Sequence, residues 1–414
     1  MRLSVILVMA GLLVIVGACR APHDNAAKRI WAMRAWERTP ATNDAGIENI
    51  SALFCSYPAH VLGILCRQTA RKIAVAGQEP APAWKARDEG SVAYLGLARW
   101  GWSSGNFFGP DIAATRGGKG LPVKRGLLRH LNLLESEGER VMADFVWPLL
   151  LDDREIGVLV LRCAILAQEP NRLYASVFIV GDPSLALRKL TLDSYGGFPG
   201  AVPGGEQWLA GLTTNACAPT KTVVLPLDEY WAFTAHKVGF KVEIENRGAE
   251  GIFLRGELKE LVYTGGWPGG SVILVPREAG CRALHFALST FLEPQARRLA
   301  AFRAEAPALE QRLATFAWQP DYQAELARLD AVMAPRAADL GAEHPLTRDW
   351  RQRRDELVER INRAQAAGAG AAEDLACGQA LQAARQFSED SWPQAVKACI
   401  ELAKRSADRI SAPR

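Results

Sequence analysis

Apolar periodicity changes once along this chain, near Leu292, and that change limits the folds open to it. Upstream, short runs rich in β-branched and aromatic residues alternate with turn signals. Runs at 92–102, 139–151, 156–166 and 172–181 are divided by Asp152-Asp153 and Glu169-Pro170-Asn171. A second set occupies 221–227, 230–236, 239–246, 252–264, 271–275 and 281–291. Lys241-Val242-Glu243-Ile244-Glu245 alternates strictly, which predicts a strand with one wet face. Ile156-Gly157-Val158-Leu159-Val160-Leu161 is apolar throughout and belongs in the middle of a packed sheet. About ten closely spaced strands predict an antiparallel β-sandwich or irregular barrel. No long helical pattern divides them, against a doubly wound α/β fold.

Downstream of Leu292 the spacing becomes helical. Leu309, Leu313 and Phe316 form one stripe, Tyr322, Leu326, Leu329 and Met333 a second, and Trp350, Leu357, Ile361 and Ala364 a third. Each steps by three, four or seven residues, with charged residues on the other faces. Pro294, Pro307, Pro320, Pro345 and Pro393 fall where helices should start, since proline suits the first helical position. The predicted class is α+β: an antiparallel β domain over 91–291, then a helical domain over 292–411.

The N-terminus suggests an address. Met1-Arg2 gives one positive charge, and residues 3–18 are apolar and uncharged. A basic start, an apolar middle and small residues before a cut form the layout of a secretory signal. The closing Val16-Gly17-Ala18-Cys19 resembles the lipobox of bacterial lipoproteins: an aliphatic residue, two small residues, then cysteine. The resemblance covers residues 1–19 alone. It implies that residues 1–18 are removed as a signal peptide and that Cys19 becomes the acylated, palmitate-bearing first residue of the mature chain. Arg20 stands where that family carries aspartate for inner-membrane retention, so the resemblance implies the outer membrane, facing the periplasm. Two other readings of the run stand beside it: an uncleaved anchor, and an ordinary signal with a coincidental cysteine.

Residues 19–90 are predicted to be a tether with short helical segments, one near 30–36 and two over 47–73 bent at Ser56-Tyr57-Pro58. In an oxidising compartment cysteines pair. With Cys19 acylated, seven of the eight cysteines remain, an odd number. A sharp bend at Pro58 would let Cys55 meet Cys66. A helical hairpin turning at 388–393 would set Cys377 beside Cys399. Cys163, in the most apolar strand, is expected to be a buried thiol, and Cys217 and Cys281 have no assigned partner. No C-x-x-C pair suggests a redox or zinc site.

Motifs for chemistry are sparse. Gly101-Trp102-Ser103-Ser104-Gly105 matches the nucleophile elbow, making Ser103 the one catalytic candidate, but Asn106-Phe107-Phe108-Gly109-Pro110 cannot supply the helix that must follow. Arg116-Gly117-Gly118-Lys119-Gly120 resembles a phosphate loop but has Ala113 for the first glycine and Gly120 for the magnesium-binding hydroxyl, so an exposed basic turn is expected. The six histidines form no local ligand pair, and Asp152-Asp153 and Asp228-Glu229 sit in turn-like contexts. No cofactor or metal is expected. A net charge of +4 without a basic block disfavours nucleic acid. Trp100, Trp102, Phe107, Phe108 and Trp267 lie near Gly-rich loops and could form a binding surface or plug the core.

Together these features predict a membrane-anchored, periplasm-facing lipoprotein that binds an envelope component or partner protein without catalysis. The alternatives are an envelope hydrolase using Ser103 or a carboxylate pair, and a lipoprotein that neutralises a toxin.

Overall fold

The computed structural model describes residues 30–40, 45–56, 60–73, 83–86, 92–97, 108–195, 207–210, 222–226, 229–236, 247–265, 269–291 and 295–411. The fold is α+β. Strands β1 (Ile30–Pro40), β2 (Ala45–Ser56), β3 (His60–Ile73), β4 (Ala83–Ala86) and β5 (Val92–Leu97) form a small sheet, which β9 (Glu137–Gly138) joins beside β1. Fourteen strands form the large sheet. Its first half carries β6 (Phe108–Arg116), β7 (Lys119–Arg125), β13 (Leu185–Tyr195), β15 (Thr222–Leu225), β18 (Leu258–Gly265) and β19 (Gly269–Pro276). Its second half carries β8 (His130–Glu135), β10 (Arg140–Leu151), β11 (Arg154–Leu166), β12 (Glu169–Gly181), β14 (Gln207–Ala210), β16 (Trp231–His236), β17 (Arg247–Phe253) and β20 (Ala283–Phe291). All pairings are antiparallel, and the halves join where Leu149 and Leu150 of β10 meet Arg125 and Lys124 of β7.

The sheet curls so that its halves share one core, as a half-barrel. Leu159, Leu161, Cys163 and Ile165 of β11 pack into the same cluster as Leu190 and Leu192 of β13 and Leu261 and Tyr263 of β18. These β11 residues alternate, so the intervening Val160, Arg162 and Ala164 face the opposite side, where helices cover them. That explains the unbroken apolar run: β11 lies between β10 and β12 and is covered on both faces. Fully burying one of these large side chains contributes about 1.5–3 kcal/mol.

Helices α1 (Gln295–Ala314), α2 (Tyr322–Leu340), α3 (Pro345–Gln365) and α4 (Ala371–Ser411) follow. The three stripes seen in the sequence supply their core: Leu309 and Leu313, then Tyr322, Leu326, Leu329 and Met333, then Trp350, Leu357, Ile361 and Ala364 are all buried together. Asp321 caps α2 by accepting the Ala324 N–H at 3.0 Å, and Pro345 opens α3 behind its cap His344. No helix among the described residues is long and apolar enough to cross a membrane.

Tight turns explain two local features. Gly117 and Gly118 both have positive φ, 55° and 74°, as the two-residue β6–β7 hairpin demands. Asp152 and Asp153 adopt the same left-handed pair, 50° and 58°, between β10 and β11. Gly157 and Gly181 face each other on β11 and β12 so closely that a Cβ on Gly181 would lie 2.4 Å from the Gly157 Cα.

Several expectations are corrected. Neither residues 30–36 nor residues 47–73 form helices: Ile30–Pro40 is the strand β1, and β2 and β3 pair from Ala45 with Arg71 to Ser56 with His60. Their apolar residues fit both periods, and long-range pairing decides between them. Cys55 stands opposite Val61 and Cys66 opposite Ile50, an offset of roughly 17 Å along the strand. A disulfide needs a Cα separation of roughly 4.4–6.8 Å, so this pair cannot bridge. Pro307 and Pro393 lie inside α1 and α4 instead of starting helices. Because α4 runs unbroken through 388–393, no hairpin forms, and Cys377 and Cys399 are about 33 Å apart along one helix axis. Both are free thiols. The run at 252–264 is two strands, β17 and β18, divided by a 3-10 turn at Arg255–Glu257. The expected strand at 239–246 lies outside the described residues.

Candidate functional site

Cys19, Trp100, Trp102, Ser103, Phe107, Cys217 and Trp267 lie outside the described residues. Phe108 is a core residue, not part of a binding surface: it is fully buried and stacks on Trp147 at 5.7 Å. Among the described residues no group of three or more His, Cys, Asp or Glu side chains converges to hold a metal ion. His285 pairs with Glu257, Nδ1 to Oε1 at 2.5 Å, beside the Trp318 ring at 5.4 Å. The Cys281 thiol is pushed up by burial, the reverse of an activated nucleophile.

Charged residues on core-facing positions are the informative feature. Arg162, inside the apolar β11 strand, donates from Nε and Nη2 to the two oxygens of Asp144 on β10, both at 2.8 Å. Its Nη1 meets Asp374 Oδ2 of α4 at 2.6 Å and the Trp318 carbonyl at 2.9 Å. Tyr322 donates to Asp374 Oδ1 at 2.8 Å. Burial raises the Asp144 carboxyl despite Arg162. This network locks the large sheet to α2 and α4.

A second set of charges lines a cleft, with Arg385 and Glu325 buried at its floor and the others partly or fully exposed. A cleft of about 1210 Å³ lies between β1, β8, α2 and α4. Five arginines line it: Arg34 from β1, Arg129 before β8, Arg328 and Arg336 from α2, and Arg385 from α4. Three glutamates accompany them, Glu137, Glu325 and Glu389. Helical spacing builds two of the walls. Arg328, Val332 and Arg336 step by four along α2, beside the core stripe of Leu326, Leu329 and Met333. Gln382, Arg385, Gln386 and Glu389 share one face of α4 through spacings of three and four.

Glu325, 1% exposed, anchors the floor. It accepts from the Ser136 N–H at 3.1 Å, the Ser136 hydroxyl at 2.9 Å, Arg385 Nη2 at 2.6 Å, and Arg328. Gln382 accepts from the Leu133 N–H at 3.0 Å, and Arg336 donates to the Ser388 carbonyl at 2.9 Å. Burial lowers the Arg34, Arg336 and Arg385 guanidiniums from their ordinary value. Arg385 adds to the lowering at Arg34, while Glu389 and Asp390 oppose it. Arginine keeps its proton in proteins, so all three stay cationic despite burial. Fixed guanidinium forks match carboxylates and phosphates. Leu133, Leu329 and Val332 add apolar surface between them, Val332 being 44% exposed.

None of the five arginines was singled out by sequence reasoning. They span 34 to 385, and long-range packing alone assembles them. No protein-family model matches the chain, and no curated protein matches it.

Proposed function

We propose that this chain is a lipid-anchored binding module of a bacterial envelope, held through Cys19 to the outer membrane and facing the periplasm. Its working surface is the arginine-lined cleft, which grips an acidic partner protein. The observation that carries this reading is the convergence of five guanidiniums from four separate segments on one open cleft. Carboxylate and carbonyl partners hold Arg129, Arg328, Arg336 and Arg385 in fixed positions before any ligand arrives, Arg129 through Glu155 and Arg385 through Glu325. The Val16-Gly17-Ala18-Cys19 run supports the anchor, since two or three acyl chains hold a protein stably at a bilayer.

Affinity purification of the full chain from solubilised membranes tests the reading. A partner should co-purify with the wild type and be lost from Arg34→Glu/Arg336→Glu at unchanged thermal stability. Labelled palmitate should enter the wild type and not Cys19→Ala. Equal co-purification with the charge-reversed protein would contradict the cleft assignment, and label in Cys19→Ala would contradict the anchor.

A further inference from the structure

The turn Arg116-Gly117-Gly118-Lys119 belongs neither to the cleft nor to the core. It closes the β6–β7 hairpin, whose ladder ends with Arg116 opposite Lys119. Strand β13 holds the hairpin as far as Thr115, whose N–H reaches the Ser184 carbonyl at 3.0 Å. All four turn residues are exposed, and a Cβ added to Gly117 or Gly118 would meet nothing within 4 Å. The tip therefore stands out from the fold. Cations converge on it. A bulge between Leu187 and Lys189 inserts Arg188 into β13, and the Arg188 Nη1 lies 3.9 Å from where a Gly120 Cβ would sit. Arg116, Lys119 and Arg188 thus stand together at the hairpin end, all three exposed. Lys124 and Lys189, also exposed, continue the positive charge back along β7 and β13. The carboxylates of this region sit behind the tip. Asp182 accepts the Ser184 N–H at 2.9 Å, Asp111 faces Lys189 at 4.0 Å, and Asp152 and Asp153 turn just past Leu150, the partner of Lys124.

Shape and composition select the ligand. The turn is convex and its two glycines supply no walls, so it cannot enclose a free anion. Its four residues carry no apolar side chain, so they have little to bury against a folded protein. Cations spread over a protruding tip suit a plane of opposite charge, and an anionic bilayer is such a plane. The lipid anchor proposed at Cys19 keeps a bilayer within reach, and each Lys or Arg near an anionic surface adds about fivefold to binding.

We infer that the β6–β7 turn rests on anionic lipid headgroups, with Arg116, Lys119 and Arg188 against their phosphates, and so fixes how the anchored chain stands on its membrane. This rests on the anchor and adds a second membrane contact to it.

The test reconstitutes the full chain from detergent into vesicles of phosphatidylcholine, with or without phosphatidylglycerol. Flotation first reads incorporation. Initial rates of lysine acetylation, followed by mass spectrometry, then read the tip. Lys119 should acetylate about fivefold more slowly when phosphatidylglycerol is present, while Lys397, exposed on α4, should not change. Salt at about 1 M, where the Debye length is about 3 Å, should remove the protection. Arg116→Glu/Arg188→Glu should also remove it while floating as the wild type does. Equal Lys119 rates in the two vesicles, equal slowing of Lys397, or protection that survives the double charge reversal would overturn the docking. Protection by inorganic phosphate over phosphatidylcholine alone would make the tip a free-anion site and overturn it as well. If the double variant fails to fold, the wild-type rates with and without phosphatidylglycerol and salt decide the matter. A chain that floats with Lys119 unprotected removes the docking and leaves the anchor standing. Failure to float with either vesicle removes both.

Discussion

Replacing Arg162 by Met should destabilise the protein by about 3–5 kcal/mol at neutral pH, the usual cost of removing one partner from a buried ion pair. The magnitude follows from what the change strands. Asp144 is fully buried and takes both its short guanidinium hydrogen bonds from Arg162, and Asp374, 8% exposed, loses a contact of 2.6 Å. Asp374 keeps Tyr322 and Gln319, so the larger part of the loss falls on Asp144. The deficit should depend on pH with a definite sign. The folded-state Asp144 pKa already lies above its unfolded value, because burial outweighs Arg162. A carboxyl of that kind binds its proton more tightly in the folded state, so stability falls as pH rises through the window between the two values. Without Arg162 the window extends upward, and the deficit should be larger near about pH 8 than near about pH 5. With a urea slope of about 3 kcal/mol/M, the neutral-pH midpoint should drop by about 1 M or more. Adding Asp144→Leu should recover much of it, since a well-packed apolar pair is an acceptable substitute for a buried ionic one. A loss under about 1 kcal/mol, or one independent of pH, would refute the reasoning.

Three other outcomes are expected. Asp153 has φ 58°, so Asp153→Gly should raise stability by about 0.5 kcal/mol and Asp153→Val should lower it by about 1 kcal/mol, read as shifts in thermal midpoint. Gly181→Ala places a Cβ 2.7 Å from the Ile156 carbonyl oxygen at φ 127°, and should cost about 3 kcal/mol by urea denaturation. The Cys377 thiol is pushed up to about 12 by burial and then Asp374, so it should resist maleimide in the native protein while half-buried Cys399 reacts, and mass spectrometry after mild oxidation should find no bridge between them.

The helical stripes were legible because one face of each helix meets the sheet or its neighbours, and a stepped apolar pattern has few other uses. Strands covered on both faces, such as β11, were legible for the related reason that neither face can be polar. Strand β13 was not, because a bulge between Leu187 and Lys189 breaks its alternation. Strands β2 and β3 were misread because Ile50, Leu53 and Phe54 satisfy a helical period as well as a strand, and only the partner strand decides. The prolines misled at α1 and α4, where tertiary packing holds a helix through Pro307 and Pro393 against a local cost of about 3 kcal/mol each. The cleft left no local trace, since its arginines come from distant segments. A partial signal was present in charged residues at core-facing positions: Arg162 within β11, and Glu325 and Arg385 beside the apolar stripes of α2 and α4.

The most direct test is photocrosslinking in intact cells from position 332, with a photoreactive residue in place of Val332 on the cleft wall. A cleft that grips a partner should give an adduct with an envelope protein that disappears when Arg336→Glu is added. The same group at Val224, 56% exposed on β15 away from the cleft, should give none. The same adduct from both positions, or one from position 332 that survives Arg336→Glu, would contradict the cleft as the binding surface.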